Sequence, residues 1–386
     1  MTANKTEAMK LFRKGLSFYR GDGVQKNKKT ASSYFYQGAE KGNIMSMLYY
    51  AQMLSEGDGI EMNRSLSASY YKKAADLGNV LGMTNYARLI YGGTDSDNRK
   101  AEAAMYFKKA ADKGNDEAMF YYAIILTKGD GVEQNKNLAV KYFKKSADNG
   151  NADAMHAYAI MIREGEEEEG EGVKSNQRES LMYLRRAANK GNVNAMASYG
   201  QALFNGDGTQ EDKKKGTDFI KKAAERGQID SMYVYGLILE QGKIISEDKR
   251  KAAEFFKKAA DKGHYEASFS YGQLLFKGEG VDMDKKEAAK FIKKAADNGV
   301  TNAMCSLAAM LREGDGIGQN KKAAAEYYKK AADNGNLCGM LNYGLMLRNG
   351  DGIDVDEEES ERYMNMASNL RNENEEEQHS NNSRDI

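Results

Sequence analysis

Proline and tryptophan are absent from the 386 residues, and cysteine and histidine are scarce, at two and three. Without proline there are no proline-stiffened linkers and no helices stopped by a proline ring, so chain breaking falls to the 39 glycines. Two cysteines cannot build a disulfide framework, and two cysteines with three histidines cannot build a conventional zinc cluster. No metal and no cofactor are therefore expected. No run of about 18 apolar residues occurs, which excludes a membrane-spanning helix. The opening segment MTANKTEAMKLFRKGLSFYR lacks the uninterrupted apolar core of a signal peptide. A cytoplasmic protein without membrane insertion is expected. Charge of one sign is not in excess either, with 57 basic and 57 acidic side chains. What is present, 41% hydrophobic and 30% charged residues, suits a soluble globular protein of two or three domains or one extended array.

The glycines fall periodically. The hexamer AADLGN at 74–79 returns as AADKGN, SADNGN, AANKGN, AAERGQ, AADKGH, AADNGV and AADNGN, after a first copy GAEKGN at 38–43. Its glycines, Gly42, Gly78, Gly114, Gly150, Gly191, Gly227, Gly263, Gly299 and Gly335, are 36 residues apart except for one step of 41. The longer step holds the acidic stretch GEEEEGEG at 165–172, which reads as a tolerated insertion in a loop. A second glycine follows each of the nine by fifteen residues, from Gly57 to Gly350, and splits every unit into two segments of helical length.

Counting from the hexamer glycine, offset four is always small, offset eight is Tyr in every unit but one (Leu307), offset nine is Ala or Gly, and offset twelve is Leu or Ile. Such spacing draws one stripe along an α-helix and cannot alternate as a strand. In the second segment an aromatic such as Tyr70, Tyr106, Phe219 or Phe255 precedes a small pair by four and five residues. Each unit is thus a helical hairpin whose small residues admit a neighbouring backbone beside a large ring. Neither helix buries its stripe alone, so the units must stack. The hexamer glycine suits a left-handed cap after the second helix. Met at offset five, in eight of nine units, reads as packing between hairpins.

The full pattern, seen in LYYAQMLSEGDGIEMNRSLSASYYKKAADLG at 48–78 and SLAAMLREGDGIGQNKKAAAEYYKKAADNG at 306–335, resembles the Sel-1-like repeat, a tetratricopeptide-type hairpin. The resemblance implies an all-α fold: a right-handed α-solenoid superhelix of about ten helix-turn-helix repeats. The units are about 5–42, 43–78, 79–114, 115–150, 151–191, 192–227, 228–263, 264–299, 300–335 and 336–371. Residues 1–371 form the solenoid, and 372–386 read as an acidic, polar, disordered tail. Residues 351–386 hold 12 acids against 3 Arg, a net of −9 that leaves +9 on the rest. The tail either solubilises the last repeat or steers a basic partner.

For function, the resemblance implies a non-enzymatic scaffold or adaptor that binds a protein or peptide segment on its concave face. Its alternatives are a regulatory subunit that activates a kinase, ubiquitin ligase or cell-wall synthase by docking, and a hydrolase of the secreted cysteine-rich repeat type. The protein is expected to be a monomer. By analogy with the tetratricopeptide groove, the positions free of the packing code are offsets three, six, ten and thirteen of the first helix. The partner-binding candidates there are Phe120, Ile124, His156, Ile160, Arg163, Tyr233, Leu237, Phe269, Gln273, Phe276, Arg312 and Arg348. Apolar anchors that desolvate, set among arginines that orient, are what a peptide groove needs.

Two further features read as structural. Lys or Arg pairs such as Lys72-Lys73 and Lys144-Lys145 belong to the repeat and sit near helix C-termini, which favours a solvated face over nucleic-acid binding. Cys305 and Cys338 fall on the first helices of adjacent units. With helix axes about 8–10 Å apart their backbones are expected to lie beyond disulfide reach, leaving free thiols. No histidine is placed for catalysis, and no phosphate-binding G-x-x-x-x-G-K-[ST] loop occurs.

Overall fold

The structure is a computed structural model that describes residues 2–93, 97–168 and 171–382. It divides into two compact bodies, Met1–Ala195 and Met196–Ile386. The first contains α1 (Thr2–Arg20), α2 (Lys28–Glu40), α3 (Ile44–Glu56), α4 (Arg64–Asp76), α5 (Val80–Tyr91), α6 (Asp97–Asp112), α7 (Asp116–Lys128), α8 (Lys136–Asp148), α9 (Ala152–Glu164), strands β1 (Glu166–Glu168) and β2 (Glu171–Val173), and α10 (Gln177–Asn189). The division falls within α11 (Val193–Asn205). The second body continues with α12 (Lys213–Glu225), α13 (Ile229–Gln241), α14 (Lys249–Asp261), α15 (Tyr265–Lys277), α16 (Lys285–Asp297), α17 (Thr301–Glu313), α18 (Lys321–Asp333), α19 (Leu337–Asn349) and α20 (Glu357–Asn382). Successive helices pack on one another in sequence from α1 to α10 in the first body and from α12 to α20 in the second, as an all-α solenoid of helical repeats requires.

The hexamer explains both ends of the connection it spans. Gly42, Gly78 and Gly114 take φ of 83°, 84° and 89°, which turns the chain after the second helix. The next residue then caps the following first helix: the side chains of Asn43, Asn79 and Asn115 accept the N–H of Ser46, Gly82 and Ala118 at 2.8, 2.8 and 2.7 Å. His264 does the same through Nδ1, accepting Ala267 N–H at 3.2 Å. Val300 is a position without such a cap.

Where offset eight is tyrosine, its ring meets the second-helix aromatic of the same unit edge to face. The ring centroids of Tyr86–Tyr106, Tyr122–Tyr142, Tyr158–Tyr183, Tyr235–Phe255 and Tyr343–Tyr363 are 4.8–5.1 Å apart. Between units the small residues touch. A Cβ added to Gly82 would stand 2.8 Å from Ala75 N, and one added to Gly339 would stand 2.6 Å from Ala332 N.

Two expectations need correction. The stretch 165–172 is not simply a loop: β1 and β2 pair antiparallel, with Glu166 opposite Val173 and Glu168 opposite Glu171. Residues 169–170 lie outside the described residues. The expected disordered tail is helical as far as Asn382, because α20 is anchored through buried Tyr363 and Ala367 and continues into Glu- and Gln-rich sequence of good helix propensity. The remaining tail positions, 383–386, lie outside the described residues.

Candidate partner-binding face

Each body presents two faces, one made by first helices and one by second helices. The second-helix face is tied together by a ladder with the period of the repeat. Tyr70, Tyr106, Tyr142 and Tyr183 donate their hydroxyls to Glu40, Asp76, Asp112 and Asp148, the acid ending the previous second helix, at 2.9, 2.6, 3.1 and 2.5 Å. Tyr327 and Tyr363 do likewise to Asp297 and Asp333, at 2.5 and 2.6 Å. The lysine pairs are occupied by the same scaffold. In three pairs the first member reaches forward to the next unit, Lys72–Glu102 at 2.6 Å, Lys144–Glu179 at 2.8 Å and Lys329–Glu359 at 3.2 Å, while Lys108 and Lys293 pair with Asp112 and Asp297 of their own helices at 2.8 Å. The second member covers its own unit's aromatic, Lys73 over Tyr70 at 4.6 Å and Lys222 over Phe219 at 5.0 Å. Lys72 and Lys144 hold the carboxyls of Glu102 and Glu179 below the usual range.

A second ladder runs through the glycine turns. Asp130 accepts from Tyr91 at 2.7 Å and Lys100 at 3.1 Å. Asp351 accepts from Arg312 Nε at 2.7 Å and pairs with Lys321 at 2.8 Å. Asp58 likewise takes Tyr19 and Lys28. Lys249–Glu279 and Lys285–Asp315 complete the lysine limb at 2.7 and 2.8 Å. Hydrogen bonds from these donors hold Asp58, Asp130 and Asp351 below the ordinary aspartate range, from Lys28, Tyr91 and Lys321 first.

The residues singled out in the sequence lie on the first-helix face. In the first body, Phe120 and Ile124 on α7 are half-buried, Phe120 with its ring 5.8 Å from Phe143. On α9, His156 and Ile160 are half-buried and Arg163 is exposed, 3.5 Å from Glu164. Burial lowers the His156 pKa, with Asp153 opposing and Arg163 assisting. In the second body, Tyr233 and Leu237 on α13 are half-buried, and the Tyr233 ring lies 4.6 Å from His264. Burial raises the Tyr233 hydroxyl pKa. Phe269, Gln273 and Phe276 on α15 are half-buried, with Lys285 over the Phe276 ring at 4.9 Å. Arg312 is spent on Asp351, and Arg348 is exposed.

Offset six therefore has two duties. At Thr84 and Cys305 the side chain is buried and donates to Asn115 and Asn336, the caps of the next first helices, at 3.3 and 3.1 Å. At Phe120, His156, Tyr233 and Phe269 it is larger and remains half-exposed. Sequence reading did not reveal that offset thirteen reaches the acid of the following turn, although the constant separation of 39 residues in Tyr19–Asp58, Tyr91–Asp130 and Arg312–Asp351 is a signal that could have shown it. It also took Tyr50 and Leu54 for packing positions only, although with Ser33, Tyr36 and Met62 they line part of a cavity of about 420 Å³.

Among the described residues no cluster of three or more His, Cys, Asp or Glu side chains is arranged to hold a metal ion, and no helix is long and apolar enough to cross a membrane.

The family model of the Sel1 repeat matches ten segments: 11–43, 44–79, 80–115, 116–151, 152–192, 193–228, 229–264, 266–300, 301–336 and 339–372. Among solved structures, a protective antigen present in uropathogenic Escherichia coli strains, displaying an SLR fold, is 26% identical with a TM-score of 0.80, over 95% of this chain and 77% of that one. A Sel1 repeat protein from Oxalobacter formigenes is 21% identical with a TM-score of 0.57, over 84% of this chain and 90% of that one, a likeness of fold alone. No curated protein sequence matches.

Proposed function

Starting from a chain that belongs to the Sel1 repeat family, we propose that it is a non-enzymatic, monomeric, cytosolic scaffold that binds a segment of a protein partner along its first-helix face. Repeats of this tetratricopeptide-like class generally serve as protein-interaction scaffolds, and the fold says no more than that about the partner.

The observation that carries the reading is the division of labour between the two faces. On the second-helix face the conspicuous polar groups, the tyrosine hydroxyls and the lysine pairs, are engaged in bonds between units or within their own unit. On the first helices Phe120, Ile124, His156 and Ile160 in one body, and Tyr233, Leu237, Phe269, Gln273 and Phe276 in the other, are half-exposed and lie outside the fixed packing positions of the repeat. Half-exposed rings held by packing lose little entropy when a partner covers them, which is what an anchor residue needs. Arg163 and Arg348, exposed beside them, supply charge; Arg312 orients a partner only through what its pairing with Asp351 leaves open.

The test is affinity capture from native cells with the intact chain beside the triple variant Phe120→Ala, Tyr233→Ala, Phe269→Ala, checked for unchanged helicity. A partner held by the first and lost by the second supports the face. The same partners on both would move the binding surface elsewhere.

A further inference from the structure

Cys305 and Cys338 are the only cysteines in the chain, and they stand on α17 and α19, the first helices of adjacent units. Cys305 stands at offset six of α17 and is buried, with 7% of its surface exposed; Cys338 is the second residue of α19 and is exposed. Both are free thiols in the structure, as the spacing of the helix axes led one to expect. The offset-six side chain nevertheless projects onto the first turn of the next first helix, as Thr84 does toward Asn115. The Cys305 side chain therefore meets the first turn of α19, which carries Cys338, and the Cys338 thiol is near enough to act on it. Cys305 Sγ also donates to Asn336 Oδ1 at 3.1 Å, and Asn342 Nδ2 donates to Cys338 Sγ at 3.3 Å and to the Cys338 carbonyl at 2.8 Å.

Packing does not require either cysteine. Offset six is filled elsewhere by Leu, Thr, Phe, His, Ala or Tyr, and offset three by Met, Leu, Glu, Asp or Asn. Each of the two positions carries cysteine in one unit only, and those units are neighbours. We propose that Cys305 and Cys338 form a reversible disulfide that clamps the first helix of the ninth unit to that of the tenth when the protein meets a hydroperoxide.

The exposed sulfur reacts first. Burial, with the neighbouring Cys338, pushes the Cys305 thiol up to about 12, so it remains protonated and shielded while Cys338 faces solvent. The Cys338 thiolate attacks hydrogen peroxide: an S–O bond forms, the O–O bond breaks, and the leaving hydroxide is protonated to water. Cys305 sulfur then attacks the sulfenic sulfur of Cys338. The S–S bond forms, the S–O bond breaks, and hydroxide departs as water with the Cys305 proton. Two thiols thereby lose two electrons and two protons, and one peroxide becomes two waters. The resulting bond of about 2.05 Å ties α17 to α19.

The test uses the full chain, reduced, freed of reductant and treated with one equivalent of hydrogen peroxide. The expected product is a monomer that has lost two hydrogens, gives a peptide cross-linked between Cys305 and Cys338, and returns to two free thiols with dithiothreitol. Amide exchange in α19 should slow at least about tenfold on oxidation. In Cys305→Ser, with unchanged far-UV circular dichroism, Cys338 should stop at a sulfenic acid that a dimedone probe captures. The proposal is overturned if the oxidised wild-type chain carries Cys338 as a sulfinic acid or as an intermolecular disulfide while Cys305 still alkylates after unfolding. This outcome is independent of where a protein partner binds.

Discussion

Tyr106 and Phe255 occupy the same position of the repeat and do different work. Both rings meet the offset-eight tyrosine edge to face, but only Tyr106 adds a hydroxyl bond across units, to Asp76 at 2.6 Å. Tyr106→Phe keeps the packing and removes that bond, so thermal or urea unfolding should show a loss of about 1–2 kcal/mol. A change indistinguishable from zero would mean the ladder is decoration. His156 makes a second residue-scale prediction. Its pKa is lowered in the folded state by burial, so the unfolded chain binds more protons in the window just below the ordinary value of about 6.5. Its contribution is fully present above that value and is lost as pH falls through the folded pKa. His156→Gln should flatten this part of the stability profile measured by denaturant titration between about pH 7 and 5. The ring and the hexamer periodicities were legible residue by residue because packing repeats them. The second duties of the same residues, such as the hydroxyl-to-acid bonds, lie 30 residues apart and become visible only when one unit is laid on the next.

At the scale of helices and turns, close approach and charge decide the contacts. Gly82 admits the backbone at Ala75, and Gly82→Ala would put a Cβ 2.8 Å from Ala75 N, where no side chain can yield. A loss of about 1–3 kcal/mol is expected in equilibrium unfolding. The turn acids form the other contact. Asp58, Asp130 and Asp351 have pKa values lowered by their Lys, Tyr and Arg partners. Their stabilisation is present above the unfolded aspartate value of about 4 and disappears as pH falls through the folded values. Asp130→Asn should therefore lower stability at pH 7 and have a smaller effect at pH 2, by the same denaturant measurement. An equal effect at both would assign the residue's role to shape alone. The helices themselves were readable from offsets four, eight, nine and twelve, down to the glycine that reverses the chain. The cap contributed by Asn79 or Asn115 was hidden within the hexamer because its partner is a backbone N–H. The β1–β2 pairing was not readable, since a run of glutamates carries no strand pattern. The helical extension of α20 was missed because composition was weighed without the anchor at Tyr363.

For the molecule as a whole, what the repeat fixes and what it leaves free are separable. The fixed positions build the units and the ladders, and a mutation there acts on stability through nearest neighbours. The free positions, Phe120, His156, Tyr233 and Phe269 among them, were identifiable as exceptions to the code, although their sharing of duty with Thr84 and Cys305 needed the structure. The most direct measurement of the central claim is hydrogen exchange of the full chain with and without its captured partner. Protection concentrated in α7, α9, α13 and α15, with the second helices α8, α10, α14 and α16 unchanged, is the predicted result. Protection that falls on those second helices, over the tyrosine and lysine ladder, would contradict it.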